Sequence, residues 1–232
     1  MAILAKYYDA LVKDEEASKL WLDFTKRHGN GNKVLELAAG TGEITGLLAR
    51  DGYHVLATDI DENMLEKNMA KNMGFDVNFE PLDMRSFSLE SIFDTVVCYC
   101  DSVNYLSNEI ELQSFFRSVY QSLVPNGVFL FDMHTETRLE EFLEPFIEEG
   151  YIDTTAYQWS IETEGNRLYH HFFFWEGDTE FEEGFFQTVF PLEKVQLLLE
   201  ELGFSVMVYT DFVEEKTKEG ERYCIIARRT KE

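Results

Sequence analysis

The segment Lys33-Val-Leu-Glu-Leu-Ala-Ala-Gly-Thr-Gly-Glu-Ile-Thr45 decides the fold of this 232-residue chain. Its first part, Val34–Leu37, is mostly apolar, as expected of a short buried strand. Gly40 and Gly42 end this strand, and a helical pattern starts near Glu43. A strand, a glycine turn and a helix N-terminus together allow the backbone to approach a nucleotide closely.

The next predicted strand, His54–Asp59, ends in a carboxylate nineteen residues after Gly40. An acidic residue at this spacing can accept hydrogen bonds from ribose hydroxyls. A strict dinucleotide pattern would contain three glycines, and Ala38 stands where the first of them would be. The glycine turn and Asp59 alone would also suit a nicotinamide-dependent oxidoreductase, which is kept as an alternative.

The order Glu36-x-Ala38-x-Gly40-x-Gly42 resembles motif I of the class I S-adenosylmethionine-dependent methyltransferases. That family usually has glycine at the position of Ala38, so the extra methyl group is one departure, which tightens the pocket without closing it. The resemblance covers residues 33–134 by motif and 191–229 by topology. It implies an enzyme that uses S-adenosylmethionine and releases S-adenosylhomocysteine. A non-catalytic protein that binds this cofactor is a second alternative, because no catalytic base is obvious.

The resemblance also implies which residues contact the cofactor. Glu36 and the glycine turn would hold the methionine part, and Asp59 the ribose. Asp83 would accept a hydrogen bond from the adenine amine, while the backbone amide of Met84 contacts a ring nitrogen. The full set of cofactor-binding candidates is Tyr8, Glu36, Ala38, Gly40, Gly42, Asp59, Ile60, Asp83, Met84, Cys100 and Asp101. No metal site is expected.

Three segments are expected near the methyl acceptor. The family often carries a Tyr-Asp pair in an N-terminal segment that folds over the cofactor, and Tyr8-Asp9 matches it; the same tyrosine would equally anchor a helix. Asp101 follows the fourth predicted strand and is a candidate for the cofactor's ammonium group or the acceptor, although polar residues there are also typical of any loop. His134 ends the fifth predicted strand. His134 and Tyr8 are the candidates for removing a proton from the acceptor.

Strands and helices alternate through the first half of the chain. Strands are predicted near 33–38, 54–59, 77–80, 93–99 and 127–133, and helices near 43–51, 61–73 and 109–123. This alternation predicts an α/β fold with a doubly wound, mostly parallel sheet and helices on both faces. A helix over 191–203 and a terminal antiparallel pair, 204–212 and 223–228, complete seven strands. Residues 1–232 are interpreted as a single methyltransferase-like domain with an N-terminal helical cap at 1–30.

Residues 136–190 differ in character, with 14 acidic, two basic and 14 aromatic residues. Residues 136–149 are predicted as a helix or loop, and 155–163, 167–176 and 179–189 as strands of an antiparallel β-meander inserted after the fifth strand. This β subdomain is either a lid that carries the acceptor pocket, or a flap that serves homodimer formation or structure and whose acidic residues only solvate the surface. The sequence does not decide whether His170 or His171 reaches the pocket.

Composition narrows the possible partners. With 44 acidic and 20 basic residues the formal net charge is -24, so nucleic acid is an unlikely partner and a small-molecule acceptor is expected. No apolar run is long enough to cross a membrane, and no signal peptide is apparent, so a cytoplasmic protein is expected. Cys98, Cys100 and Cys224 are expected to be reduced thiols. Cys98 and Cys100 are predicted to share one buried face of a strand.

Overall fold

The computed structural model describes residues 2–12, 14–213 and 220–230. Met1 and Lys13, which belong to the predicted helical cap, lie outside the described residues. In chain order the elements are α1 (Ala2–Val12), α2 (Glu15–His28), β1 (Lys33–Glu36), α3 (Glu43–Arg50), β2 (His54–Asp59), α4 (Glu62–Asn72), β3 (Val77–Pro81), β4 (Phe93–Cys98), α5 (Glu109–Ser122), β5 (Leu123–His134), α6 (Thr137–Glu141), β6 (Phe146–Ile152), β7 (Thr155–Glu164), β8 (Arg167–Glu176), β9 (Thr179–Thr188), α7 (Leu192–Leu202), β10 (Phe204–Thr210) and β11 (Arg222–Arg229).

The main sheet has seven strands in the order β10-β11-β5-β4-β1-β2-β3. Strands β1 to β5 are parallel, whereas β11 pairs antiparallel with both β5 and β10. The predicted fold class is therefore confirmed, including the terminal antiparallel pair. Because β1, β2, β4 and β5 are parallel, the residues that follow them meet at one edge of the sheet, where ligands of such folds bind.

Apolar side chains fill both faces of this sheet. On one face Phe115 and Phe116 of α5 pack on Phe129 and Phe131 of β5, and all four are fully buried. On the other face Trp21 of α2 belongs to a second buried cluster. Burial of a phenylalanine or leucine side chain contributes about 1.5–3 kcal/mol. The two clusters hold the carboxyl ends of the central strands in place.

The inserted segment forms a separate antiparallel sheet in the order β6-β7-β8-β9. Here the prediction of three strands, with a helix or loop over residues 136–149, is wrong in one respect, because β6 begins at Phe146 and adds a fourth strand. Among the strands of the described residues, β6 pairs only with β7, and its residues are mostly exposed. An exposed edge strand lacks the apolar alternation by which strands are recognised from sequence.

The N-terminal helices connect the two sheets. Asp14 caps α2 by accepting hydrogen bonds from the backbone N–H groups of Glu16 and Ala17. On α1, the Tyr7 hydroxyl donates to Glu176 of β8 at 2.6 Å. From the other side, Lys67 of α4 donates to the carbonyl oxygens of Ala5 and Lys6. Helix α1 therefore lies between the inserted sheet and the main domain.

Candidate active site

The turn between β1 and α3 contains three left-handed residues. The φ angles are 53° at Ala38, 54° at Gly40 and 87° at Gly42. A Cβ atom on Gly40 would meet no atom within 4 Å, so this backbone borders open space, whereas one on Gly42 would lie 2.2 Å from Asn68 Oδ1. Glycine adopts the left-handed φ without strain at both positions, and at Gly42 it also avoids this clash. Ala38 holds a left-handed conformation that costs about 1–2 kcal/mol for a residue with a Cβ.

Two buried carboxylates adjoin this turn. Glu36 is 4% exposed and accepts the Thr45 hydroxyl at 2.6 Å, and burial raises its pKa to about 8. Asp59 accepts the backbone N–H groups of Gly40 and Asp61, each at 2.8 Å. Burial raises the pKa of Asp59 despite these bonds. Because each carboxylate oxygen can accept two hydrogen bonds, Asp59 keeps acceptor capacity for a ligand.

A cavity of about 260 Å³ opens at the carboxyl ends of β2 and β3. Asp59, Ile60, Asp83 and Met84 line it. The Asp83 carboxylate binds Arg85, whose Nε lies 2.9 Å from both carboxylate oxygens, and this hydrogen bonding lowers the pKa of Asp83. Asp83 is therefore ionised, and it retains lone pairs that could accept an N–H group.

A larger cavity of about 410 Å³ lies between the main domain and the inserted sheet. Glu36, Gly42, Asp101 and His134 line its main-domain side. The inserted sheet contributes Trp159, Ile161, Leu168, His170, Phe172, Phe185 and Gln187. His170 is thus the histidine of the pair that reaches the cavity. His171 lies near Glu162, with 3.8 Å between its Nε2 and a carboxylate oxygen.

The two cavities share part of their walls. The shared residues are Tyr8, Ala38, Gly40, Cys100, Ser102 and Tyr105. Taken together, the linings of the two cavities include every cofactor-binding and catalytic candidate predicted from the sequence. Tyr8 is held in place by its neighbour Asp9, which accepts the Thr41 hydroxyl and lies 2.5 Å from Lys71 Nζ.

Two of the shared residues have properties that the sequence did not indicate. Burial raises the pKa of Tyr8, so its phenol stays protonated at neutral pH. Cys100 is exposed, whereas Cys98 is buried. The prediction that these cysteines share one buried strand face is wrong, because β4 ends at Cys98 and Cys100 takes a left-handed φ of 58°.

A polar cluster lies at the end of β5. Asp101 Oδ2 is 3.7 Å from His134 Nε2 and accepts a hydrogen bond from the Gln187 amide. Burial raises the pKa of Asp101, but His134, Arg222 and the Gln187 bond outweigh it, and the net shift is downward. Asp101 is therefore a carboxylate inside a largely apolar cavity. The sequence identified Asp101 and His134 as candidates but did not identify Gln187. The one sequence feature that marks Gln187 is that a polar residue stands on the inward-facing side of an alternating strand.

Behind this cluster, the buried carboxyl group of Asp132 contacts the partly exposed guanidinium of Arg222. Asp132 is fully buried; its Oδ2 accepts the backbone N–H of Asp101 at 2.9 Å and lies 3.3 Å from Arg222 Nη1. Its Oδ1 has no hydrogen-bond partner among the described residues. Burial raises the pKa of Asp132 to about 7, against the attraction of Arg222. Arg222, which also borders the larger cavity, was not predicted from the sequence.

Across residues 2–12, 14–213 and 220–230, no helix has the length and apolar content needed to cross a membrane. Within the same ranges, no cluster of three or more histidine, cysteine, aspartate or glutamate side chains is arranged to hold a metal ion.

Residues 34–127 match the family model described as a methyltransferase domain. The chain is 30% identical to a protein of Geobacillus sp. (strain WCH70) classed as a methyltransferase, over 97% of this chain and 98% of that one. It is 32% identical to YqeM of Bacillus subtilis (strain 168), likewise classed as a methyltransferase, over 86% of this chain and 85% of the relative.

Solved structures share the fold. An S-adenosylmethionine-dependent methyltransferase from Clostridium acetobutylicum superposes with a TM-score of 0.82 at 22% identity, covering 98% of this chain and 96% of that one. The sugar N-methyltransferase KedS8 from Streptoalloteichus gives a TM-score of 0.78 at 20% identity, covering 97% and 92%. At these identities the similarity establishes a common architecture.

Proposed function

Because the chain belongs to the class I S-adenosylmethionine-dependent methyltransferases, we propose that it transfers the cofactor's methyl group to a small-molecule acceptor. The proposal rests on two cavities that meet at Tyr8, Gly40 and Cys100. In-line transfer requires a donor site and an acceptor site with a common opening, so that the reacting atoms are aligned and water is excluded.

The residues of the smaller cavity and the glycine turn fit S-adenosylmethionine, which supplies an electrophilic methyl group when bound. Gly40 borders open space, as close approach to a ligand requires. Asp59 has acceptor capacity for ribose hydroxyls. Asp83 could accept the adenine amine, with the Met84 amide beside it. Ile60, 58% exposed, offers an apolar contact.

The methionine end of the cofactor would lie toward the larger cavity. Glu36 and the turn through Gly42 would hold it, with Ala38 and Cys100 forming the adjoining wall. Asp101 is ionised and would attract an ammonium group of either the cofactor or the acceptor. In the absence of cofactor, Glu36 carries its proton at neutral pH because burial raises its pKa to about 8.

His134 is the proposed base if the acceptor atom carries a proton. It lines the larger cavity and is held by its backbone N–H, which donates to Asn104 Oδ1 at 3.0 Å. Tyr8 is less suited to this task, because its raised pKa keeps it a phenol. We assign Tyr8 to hydrogen bonding at the junction of the cavities.

The acceptor is proposed to be a small molecule with an apolar body and a polar reacting group. Aromatic side chains of the inserted sheet and the Asp101 carboxylate line the same cavity, which supports this class. The sugar N-methyltransferase among the structural neighbours and the net charge of -24 also favour it over nucleic acid. On this proposal residues 136–190 are a subdomain that carries the acceptor pocket, and residues 1–30 are a cap on the same single domain.

Two further proposals concern the environment of the protein. The free thiols Cys98, Cys100 and Cys224 support a cytoplasmic location.

The outer edge of β6 supports a homodimer through the inserted sheet, since two of its apolar residues are exposed, Ile147 by 56% and Tyr151 by 77%. Light scattering of the wild type and an Ile147→Lys variant tests this: a monomeric wild type rejects the dimer.

Calorimetric titration with S-adenosylhomocysteine, with NAD as the control ligand, tests the cofactor assignment. We expect saturable one-site binding of the first and none of the second. Turnover of S-adenosylmethionine is then measured with a panel of small amines and hydroxy compounds. Cofactor binding without turnover of any acceptor would favour the non-catalytic alternative, and binding of NAD alone would revive the oxidoreductase.

A further inference from the structure

Gln187 contacts three polar side chains that come from three different parts of the fold. Its Nε2 lies 2.5 Å from Asp101 Oδ2. Its Oε1 lies 3.0 Å from His134 Nε2 and 3.1 Å from His170 Nε2. The Gln187 side chain is almost completely buried, with 2% exposure. This one amide therefore links the inserted sheet to the end of β5 and the loop after β4.

The chemistry of these contacts fixes the position of protons. Asp101 is ionised and can only accept, so the amide –NH₂ of Gln187 must face it. The carbonyl oxygen Oε1 then faces both imidazole rings. Since that oxygen can only accept, His134 and His170 must each carry a hydrogen on Nε2.

His170 is neutral in this arrangement. Its Nδ1 accepts the indole N–H of Trp159 at 3.3 Å, and burial lowers the pKa of His170 to about 4. Within the described part of the chain, the Nδ1 of His134 forms no hydrogen bond, and His134 lines the larger cavity. This Nδ1 is therefore the nitrogen of the cluster that remains available to a molecule in the larger cavity.

We propose that Gln187 is a positioning residue that holds His134 in the tautomer protonated on Nε2, so that the lone pair on Nδ1 accepts the proton of the methyl acceptor. This inference rests on the proposed function. In the reaction, the lone pair of the acceptor's nitrogen or oxygen forms a bond to the methyl carbon. The carbon–sulfur bond breaks with its electron pair left on sulfur, and the acceptor's proton moves to His134 Nδ1. The resulting imidazolium lies 3.7 Å from Asp101 Oδ2, which stabilises it.

The acceptor class follows from this assignment. A lone pair on Nδ1 can remove a proton from an amine or hydroxyl, whereas a thioether or tertiary amine carries no proton to remove. Primary and secondary amines and hydroxy compounds are thus the expected acceptors. Arg222 interacts electrostatically with Asp101 and Asp132, and Arg138 interacts with His170.

Long-range ¹H–¹⁵N spectra of the histidine rings, recorded on full-length protein saturated with S-adenosylhomocysteine, test the tautomer directly. His134→Gln and His170→Gln variants assign the signals. We expect both rings to give the Nε2–H pattern at pH 8 in the wild type. In Gln187→Met, which keeps the length of the side chain without its hydrogen bonds, the His134 signals should move to a mixture of tautomers. Gln158→Met, on β7 but outside the cavity, is the matched control and should leave them unchanged.

The kinetic arm uses any acceptor identified by the panel. Gln187→Met should lower kcat by about 10–100-fold, because a positioned base contributes about 10²–10⁴-fold. The KM for S-adenosylmethionine should change less than about 3-fold, because Gln187 does not line the smaller cavity. An Nδ1–H tautomer in the wild type, or an unchanged His134 spectrum in Gln187→Met, overturns the proposal. Failure of S-adenosylhomocysteine to bind would instead reject the proposed function. The same spectra, recorded on the ligand-free protein, would still report the tautomer of His134, so the two failures can be distinguished.

Discussion

Replacement of Glu36 by glutamine should change how stability depends on pH. Glu36 is 4% exposed, and burial raises its pKa from 4.5 to about 8. The folded state therefore holds this proton at pH values where the unfolded chain has released it. The resulting contribution to stability is complete below pH 4.5 and is lost as the pH rises toward 8, at about 1.4 kcal/mol per pH unit.

The size of the effect follows from the same two values. Relative to Glu36→Gln, which cannot ionise and still offers an oxygen to the Thr45 hydroxyl, the wild type should lose about 3 kcal/mol of unfolding free energy between pH 5.5 and 8. The range starts at 5.5 because the sequence pI is about 4.5, where solubility is low.

Urea unfolding followed by tryptophan fluorescence at several pH values measures this difference. Glu66→Gln removes the same charge from an exposed position on α4 and is the control for the overall acidity of the chain. The free-energy difference between Glu36→Gln and the wild type should grow with pH, whereas that of Glu66→Gln should remain nearly constant. Parallel curves for the wild type and Glu36→Gln would show that Glu36 is ionised in the folded protein, and the reasoning about its burial would be refuted.

Three further predictions concern the cofactor site. Asp59→Ala should weaken binding of S-adenosylhomocysteine by about 10–100-fold in calorimetry, since a hydrogen bond to a charged group contributes about 1.5–3 kcal/mol; unchanged affinity would reject the ribose assignment. Ala38→Gly should raise the free energy of unfolding by about 1 kcal/mol by relieving a left-handed φ, while Ala39→Gly, where φ is not positive, should lower it. Binding of S-adenosylhomocysteine to the wild type at pH 7 should release protons, because the ammonium group of the ligand stabilises the ionised form of Glu36. Calorimetry in buffers of different ionisation enthalpy measures this release, which should be absent in Glu36→Gln.

Much of the main domain could be predicted from sequence because its strands are short apolar runs between turn signals. The motif through Gly40 and Gly42, with Asp59 at the end of the next strand, led to the family that the relatives confirm. Strand β6 could not be found in this way. Its residues, Phe146–Ile152, include two glutamates and a glycine and are mostly exposed, so neither an apolar run nor an alternating pattern marks them.

The polar cluster shows a different limit of sequence reasoning. Gln187 lies 86 residues from Asp101 and 53 from His134 in the chain. Glutamine does not titrate, and nothing around it resembles a motif. Only the docking of the inserted sheet on the main domain reveals that its amide joins these groups. Arg222, which contacts Asp132 from β11, was not predicted either, because the two residues are far apart in sequence and only the fold brings them together.

The division of labour between the two sheets has a consequence for how such an enzyme can diversify. Inward-facing positions of β7 to β9 alternate with positions that face away, and they contribute no residue to the smaller cavity. On the proposed function, substitutions at Trp159, Phe172 or Phe185 would reshape the acceptor pocket and leave every residue of the smaller cavity in place. On the same proposal, acceptor specificity can change through the inserted sheet alone while the residues that would bind S-adenosylmethionine stay the same.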